Sequence, residues 1–416
     1  MSRSTAPTLS HRLEYCAYRI FEWMLKMISL ETIFKLGEFA GRIFYRYNSI
    51  RRYQVNRNLR LAFGDEKSHS EISQLTAEVF ERTGANFLTS LKIPFLNDAQ
   101  ILAQLDFEGL DDFFATTSKG GIVMVSPHMG NWELLAQAIF LIDGDFKVGT
   151  HYRPLNNSLI NAVVERRRRR RGLELFAKRS STHRLSSFVR EGGALGILAD
   201  QRVGARGAAC LFFGRPTTCS PLPHLIAKRG KGLLISLSCE TVGIARWKIS
   251  FRPIPTISAQ ACADSIEQDW RRSPVDVFWF ENRWRLQGND PLAFLEKYKP
   301  DLKIPRPLRA VNLARQEKKL PYSKRLITQE HHEVDFNQSD QSVRERLNEI
   351  SNRGATPVDV FLAPHSQLDR VKKLSGKIIT LTAEKNYFSV EEVSGKQFFS
   401  AVSVMIFPES FLTRSN

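Results

Sequence analysis

The sequence predicts an α/β protein: a helical, amphipathic N-terminal region, then a domain built on a mostly parallel sheet, then a small β-α-β extension. Three observations lead there. Between residues 13 and 47 the charged side chains recur at helical spacing. From residue 121 to residue 272, short apolar runs alternate with amphipathic stretches of helical length. Around residues 300–309 three prolines interrupt the chain, and the alternation then restarts. Strands that alternate with helices are joined by crossovers, which favour parallel pairing. The expected divisions are residues 1–50, 51–300 and 301–416.

In the first region Arg19, Glu22 and Lys26, then Glu31, Lys35, Glu38 and Arg42, fall on helical stripes at steps of three and four. The opposite faces hold Ile20, Trp23, Met24 and Met27, then Ile33, Phe34, Phe39 and Ile43. Aromatic and basic residues together suit a helix lying in a membrane interface. A helical hairpin packed on the domain core fits the same pattern. If the interface reading holds, removing residues 1–47 should raise solubility.

Helices are then expected at residues 56–63 and 70–91. In the α/β region, strands are expected at 121–126, 194–199, 233–242 and 247–253. The helices between and after them fall at 131–142, 158–172, 182–191 and 259–272. Pro300, Pro305 and Pro307 read as a linker. Beyond it come a helix at 339–352, a strand at 358–362, a helix at 367–374, and strands at 378–381 and 402–407. This tail shows no Gly-rich phosphate loop and no carboxylate pair at a strand end, so no chemistry is assigned to it.

Composition sets the limits on function. Hydrophobic residues make up 42% and charged residues 25% of the 416, which excludes a disordered, collagen-like or coiled-coil chain. A formal net charge of +17 implies a polyanionic partner: nucleic acid, an anionic membrane surface or a phosphorylated substrate. The five cysteines (Cys16, Cys210, Cys219, Cys239, Cys262) are scattered without a CxxC pair. That supports neither a disulfide framework nor a zinc site, and a reduced, cytosol-facing setting is expected. No uncharged apolar run approaches the ~18 residues of a membrane-spanning helix.

The candidate chemistry follows the first strand, in His128-Met-Gly-Asn-Trp-Glu133. On one continuous helix His128 and Glu133 would lie about 140° apart, at roughly 100° per residue, so they meet only across a turn at Pro127 and Gly130. A carboxylate on one ring nitrogen fixes the imidazole tautomer and stabilises its charged form. The other nitrogen can then take a proton from a hydroxyl.

This motif and the blocks after it resemble the late acyltransferases of bacterial lipid A biosynthesis, within the wider lysophospholipid acyltransferase group. The resemblance runs over roughly residues 10–297. It includes His151-Tyr-Arg-Pro-Leu-Asn-Asn157, the arginine-rich helix around Arg168, Asp200-Gln-Arg202, Phe212-Phe-Gly-Arg-Pro216 and Val277-Phe-Trp-Phe-Glu-Asn-Arg-Trp284. It implies His128 as catalytic base with Glu133 as its partner, and Arg153, Arg168 and Asp200 as substrate-site residues. The unbroken arginines at 166–171 leave the register of Arg168 open by one or two positions. Pro221 and Pro223 depart from the small or hydroxyl residues expected along the donor chain.

The resemblance further implies transfer of a fatty acyl chain from an acyl carrier protein (or CoA) thioester to a hydroxyl of a phosphorylated lipid A precursor. No metal or organic cofactor is implied, because the thioester already holds the leaving group. The setting implied is the cytoplasmic face of the inner membrane, with monotopic attachment. Acylation of another glycolipid or of a lysophospholipid is the alternative within the same fold. A catalytically silent basic protein that binds membrane or nucleic acid is the alternative of another class. The arginine run itself reads as a phosphate-docking surface, a nucleic-acid contact or a solvated helix face. It lacks interleaved aromatics for base stacking, so nucleic acid is not the expected partner.

Overall fold

A computed structural model of the chain describes residues 7–142, 147–152, 154–169, 172–177, 180–203, 207–281, 283–284, 291–313, 323–353, 357–363, 367, 371, 379–382 and 390–391. The N-terminal region is four helices: α1 (Leu9–Lys26), α2 (Leu30–Tyr47), α3 (Ser49–Phe63) and α4 (His69–Lys92). Each of the first three has a side-chain cap on its opening amides, from Thr8, Ser29 and Asn48. Ser68 and Glu71 form a reciprocal capping box at the start of α4.

The packed-hairpin reading of residues 13–47 holds for one face of α2. Helix α2 packs on the core through Leu30, Ile33 and Phe34, and its approach to α4 requires glycine. A Cβ on Gly41 would stand 2.2 Å from the Phe80 carbonyl oxygen, and one on Gly37 2.5 Å from the Ala85 Cα. The other face stays outside, with Trp23 65% and Met27 72% exposed beside Phe39 and Ile43. The expected boundary at residue 50 falls inside α3, so the hairpin is continuous with the helices behind it.

The chain then alternates: α5 (Asp98–Leu102), β1 (Leu105–Glu108), α6 (Leu110–Thr117), β2 (Ile122–Ser126), α7 (Trp132–Ala138), β3 (Val148–Tyr152), α8 (Ser158–Arg169), β4 (Glu174–Ala177), α9 (Thr182–Arg190) and β5 (Ala194–Leu198). A hairpin of β6 (Ala208–Phe212) and β7 (Arg215–Cys219) follows. Then come α10 (Leu222–Gly230), β8 (Leu233–Gly243), β9 (Arg246–Ile254) and α11 (Ala259–Arg272). Seven strands form one sheet in the order β1-β9-β8-β2-β5-β3-β4, parallel except between β8 and β9.

Strand β2 is central and buried on both sides: Val123 and Val125 join one core cluster, Ile122 and Met124 the other. Such continuous apolar runs are what a parallel strand covered by helices on both faces needs. The strands missing from the sequence reading, β1, β3, β4, β6 and β7, are only four or five residues long. Several are rich in polar or basic residues, so neither length nor composition marks them.

After α12 (Pro291–Tyr298), the expected linker ends sooner than its composition suggests. The prolines do lie outside regular structure, but β10 (Leu308–Asn312) starts immediately after Pro307 and is buried along its whole length. It is an inner strand of a second sheet, ordered β11-β10-β12-β13-β14, formed with β11 (Ile327–His331), β12 (Val360–Ala363), β13 (Ile379–Thr382) and β14 (Val390–Glu391). Helix α13 (Asp340–Asn352) matches the expected one. The expected strand at 402–407, and most of the expected helix at 367–374, lie outside the described residues.

The second sheet is bonded to the first domain. Arg215 of β7 donates to Asp359, both deeply buried, and Asp359 also accepts from the Arg309 amide at 2.8 Å. Arg306 donates to the Ala62 carbonyl at 2.8 Å and pairs with Asp65 at 2.6 Å.

Candidate active site

The register of two neighbouring strands builds the site. In the parallel pair β2–β5, Ser126 lies opposite Leu198, and the Ala199 amide extends the ladder to the Ser126 carbonyl at 2.9 Å. Two residues further along each chain stand His128 and Asp200. Asp200 Oδ1 is 2.7 Å from His128 Nδ1, and its Oδ2 accepts from the His128 backbone amide at 3.0 Å. One carboxylate thus holds both the ring and the main chain of the histidine. Both residues are buried, with His128 8% exposed.

This corrects the expected pairing. The turn required at Gly130 is present, at φ +57°, where a Cβ would meet the Cys239 carbonyl oxygen at 2.2 Å. The carboxylate bonded at Nδ1 is Asp200, and Glu133 contributes only a smaller charge effect on the ring. Both Glu133 oxygens instead accept from Arg168 Nη2, at 2.6 and 2.7 Å. Asp200, expected as a substrate-site residue, is the carboxylate that orients His128. Arg168, expected to hold substrate phosphate, is engaged by Glu133. Within the described part of the arginine run, Arg168 bonds Glu133 while Arg167 turns toward Glu22 of α1. Arg153 lies outside the described residues.

The electrostatics follow from burial and charge. Burial alone opposes a charged imidazole, but Asp200, with smaller contributions from Glu281 and Glu133, outweighs it and holds the His128 pKa above its ordinary value. Burial likewise opposes the Asp200 carboxylate, and the facing His128 charge and hydrogen bonds bring its pKa below the ordinary value.

A strap from Asp276 to Glu281 closes one side of the site. The Gly130 amide donates to the Asp276 carbonyl and the Phe278 amide to the His128 carbonyl, both at 2.9 Å. Phe278 stacks edge-on against Trp132, which in turn lies edge-on to His128. The strap is tied to the N-terminal helices, because Asn58 of α3 donates to the Trp279 and Glu281 carbonyls. Beside Asp200 a shallow recess is lined by Gln201, Arg202, Phe278, Glu281 and Arg283 among others. Gln201 bonds Glu281 at 3.3 Å. The sequence reading missed Glu281 as a charge at the site, although its block was part of the resemblance.

An imidazole held by a carboxylate on one nitrogen, at the carboxyl end of the central parallel strands, is a device for moving a proton from a hydroxyl. Residues 4–286 match the family model for bacterial lipid A biosynthesis acyltransferase, and the chain belongs to that family. It is 25% identical over 219 residues to the phosphatidylinositol mannoside acyltransferase of Mycobacterium tuberculosis (strain ATCC 25618 / H37Rv), covering 49% of this chain and 68% of that protein. It is 27% identical over 140 residues to the lipid A biosynthesis lauroyltransferase of Escherichia coli (strain K12), covering 33% of this chain and 44% of that protein. The chain is an acyltransferase by family.

Proposed function

We propose that this acyltransferase moves a fatty acyl chain from an acyl carrier protein thioester to a hydroxyl of a phosphorylated lipid A precursor, at the cytoplasmic face of the inner membrane. The observation behind the mechanism is the His128–Asp200 pair. With Nδ1 bound to the carboxylate, Nε2 is the nitrogen that takes the acceptor's proton. The freed oxygen attacks the thioester carbonyl, the carbon–sulfur bond breaks, and the imidazolium returns the proton to the departing thiolate. Asp200 stabilises the imidazolium in between and keeps the ring in one orientation.

The donor and the membrane setting rest on charge and surface. A net charge of +17 suits an acidic carrier protein, which it would steer toward the site. Among the described residues no helix is long and apolar enough to cross a membrane. The exposed apolar face of α1 and α2 supports attachment from one side.

A second acceptor is favoured by a specific finding: the similarity to the mannoside acyltransferase covers a larger share of that relative than the similarity to the lauroyltransferase does of its own. A mannosylated phospholipid is therefore the alternative acceptor. The test offers purified protein acyl carrier protein-bound chains together with each acceptor in turn, and reads the products by lipid mass spectrometry. Acylation of the lipid A precursor is expected. Acylation of the mannoside alone would replace the acceptor, and no thioester-dependent acylation of either would overturn the reading.

A further inference from the structure

Helix α1 is turned inside out relative to its charge pattern. Glu22, expected on the solvated stripe, is 1% exposed, while its neighbour Trp23 points outward. A carboxylate taken out of water costs several kcal/mol unless it is paired with good geometry. Here it is paired with Arg167 of α8, whose Nη1 and Nη2 each donate to one Glu22 oxygen, the Nη2 bond at 2.9 Å. Tyr18, one turn back on α1, accepts from the same Nη1 at 3.2 Å, and burial together with the Glu22 contact pushes its phenol pKa well up. The guanidinium also lies 5.0 Å from the centre of the Phe95 ring.

What α1 grips is a helix otherwise bonded to the sheet mainly at Glu165, which accepts from the Tyr152 hydroxyl of β3. None of the α8 side chains is fully buried. Polar bonds tie it down at both ends: Asn157, just before α8, donates to the His11 carbonyl and to Glu14 of α1, both at 2.9 Å, and Arg167 closes on Glu22 in the last turn of α8. Consecutive helical residues point about 100° apart. Arg168, one residue on from Arg167, is thereby aimed at Glu133 beside the imidazole.

We propose that Glu22 and Tyr18 of the outward-facing helix α1 are positioning residues for acyl transfer: by fixing Arg167 they set Arg168 on Glu133. The inference rests on the His128 site described above. It makes α1 part of the active-site scaffold as well as a surface for lipid, so that a displacement of α1 changes the charge balance next to His128. The charged groups facing that ring are Asp200 after β5, Glu281 on the strap and Glu133 on α7, the last compensated by Arg168.

The experiment uses the full chain in detergent micelles, where differences in membrane binding drop out. Glu22→Gln and Arg167→Lys are each expected to lower kcat/KM about tenfold, since small misplacements near reacting groups are costly. Both should move the ascending, acidic limb of its pH profile upward, because Glu133 loses its compensating charge. In an Arg168→Met background the same substitutions should add little and leave the limb in place. Amide exchange of residues 164–169 should rise in both variants while that of α9 does not. Unchanged kcat/KM and limb in Arg167→Lys, or full additivity with Arg168→Met, would overturn the proposal even if Glu22→Gln does not fold. If the wild type transfers no acyl chain at all, the reading of the site fails separately. Unaltered exchange at 164–169 would then still overturn the clamp.

Discussion

At His128 a single carboxylate does two jobs, fixing the ring through Nδ1 and the main chain through the amide. Loss of the base, in His128→Ala, is expected to reduce turnover ~10²–10⁴-fold. Asp200→Ala should be severe too, and the double variant should be little worse than His128→Ala alone, because the two act as a unit. Steady-state kinetics on variants of matched thermal stability check this, and a fully active His128→Ala would sink the mechanism. The pH dependence follows from the direction of the shifts. Only the neutral ring takes a proton, so kcat/KM should rise with pH along a limb above the ordinary imidazole value of 6.5, and Asp200→Asn should move that limb down. For stability the sign is opposite. Below 6.5 the ring is charged whether the chain is folded or not, and its attraction to Asp200 contributes in full. That contribution is lost as pH rises through the raised folded value. The Asp200 contribution is present above 3.8 and lost as pH falls through its lowered folded value. Thermal melts across pH should therefore show the pair contributing most between these limits, and should flatten in Asp200→Asn.

Among the elements, the α2–α4 contact and the outer face of α1 make separable predictions. Gly41→Ala puts a methyl against the main chain of α4, with no flexible side chain to yield. A destabilisation of about 1–3 kcal/mol is expected, read as a lower Tm, from overpacking of a close helix contact. Wild-type stability in Gly41→Ala would mean that the helices separate without cost. Deleting residues 1–47 is no longer a clean test of membrane attachment, because it uncovers the face of α4 that α2 covers. Substituting the exposed side chains leaves the packing intact. Trp23→Ser together with Met27→Ser should weaken flotation with anionic vesicles and leave Tm within a degree or two. Unchanged flotation would remove this face from the membrane reading.

Across the whole molecule, the second sheet is anchored by a buried charge pair. Arg215 belongs to the Phe212–Pro216 block of the family domain, yet the carboxylate that neutralises it, Asp359, comes from the tail. Arg57 of α3 lies 3.7 Å from the same carboxylate. Asp359→Ala leaves a buried guanidinium without its partner, and breaking such a pair costs about 3–5 kcal/mol. A marked fall in Tm is expected, with differential scanning calorimetry as the measurement. The same reasoning predicts that a chain ending near Pro300 is less stable, even though the family match ends at residue 286. An unchanged Tm in Asp359→Ala would show that this charge pair does not anchor the second sheet to the first domain.

How much of this was legible in the sequence depends on the range of the interaction. The long helices, the central strands and the change of pattern after the prolines were readable, because periodicity and flanking glycines are local. His128 was legible as a candidate in the same way, because its motif is contiguous. The partner of His128 was not: Asp200 is far away in the chain, and only the in-register pairing of β2 with β5 brings it within 2.7 Å. A nearby acid in the motif was the natural expectation, but the Gly130 turn sends Glu133 to Arg168 instead. Glu22 was misplaced for a similar reason. Its spacing assigns it to a helix face, but which face turns inward depends on what waits there, and Arg167 comes from another helix. Local sequence therefore determined which elements form and which residue types could do the chemistry. Tertiary structure decided which charge meets which, because a carboxylate buried in a low-dielectric site must be matched by whatever cation or imidazole the fold delivers to it.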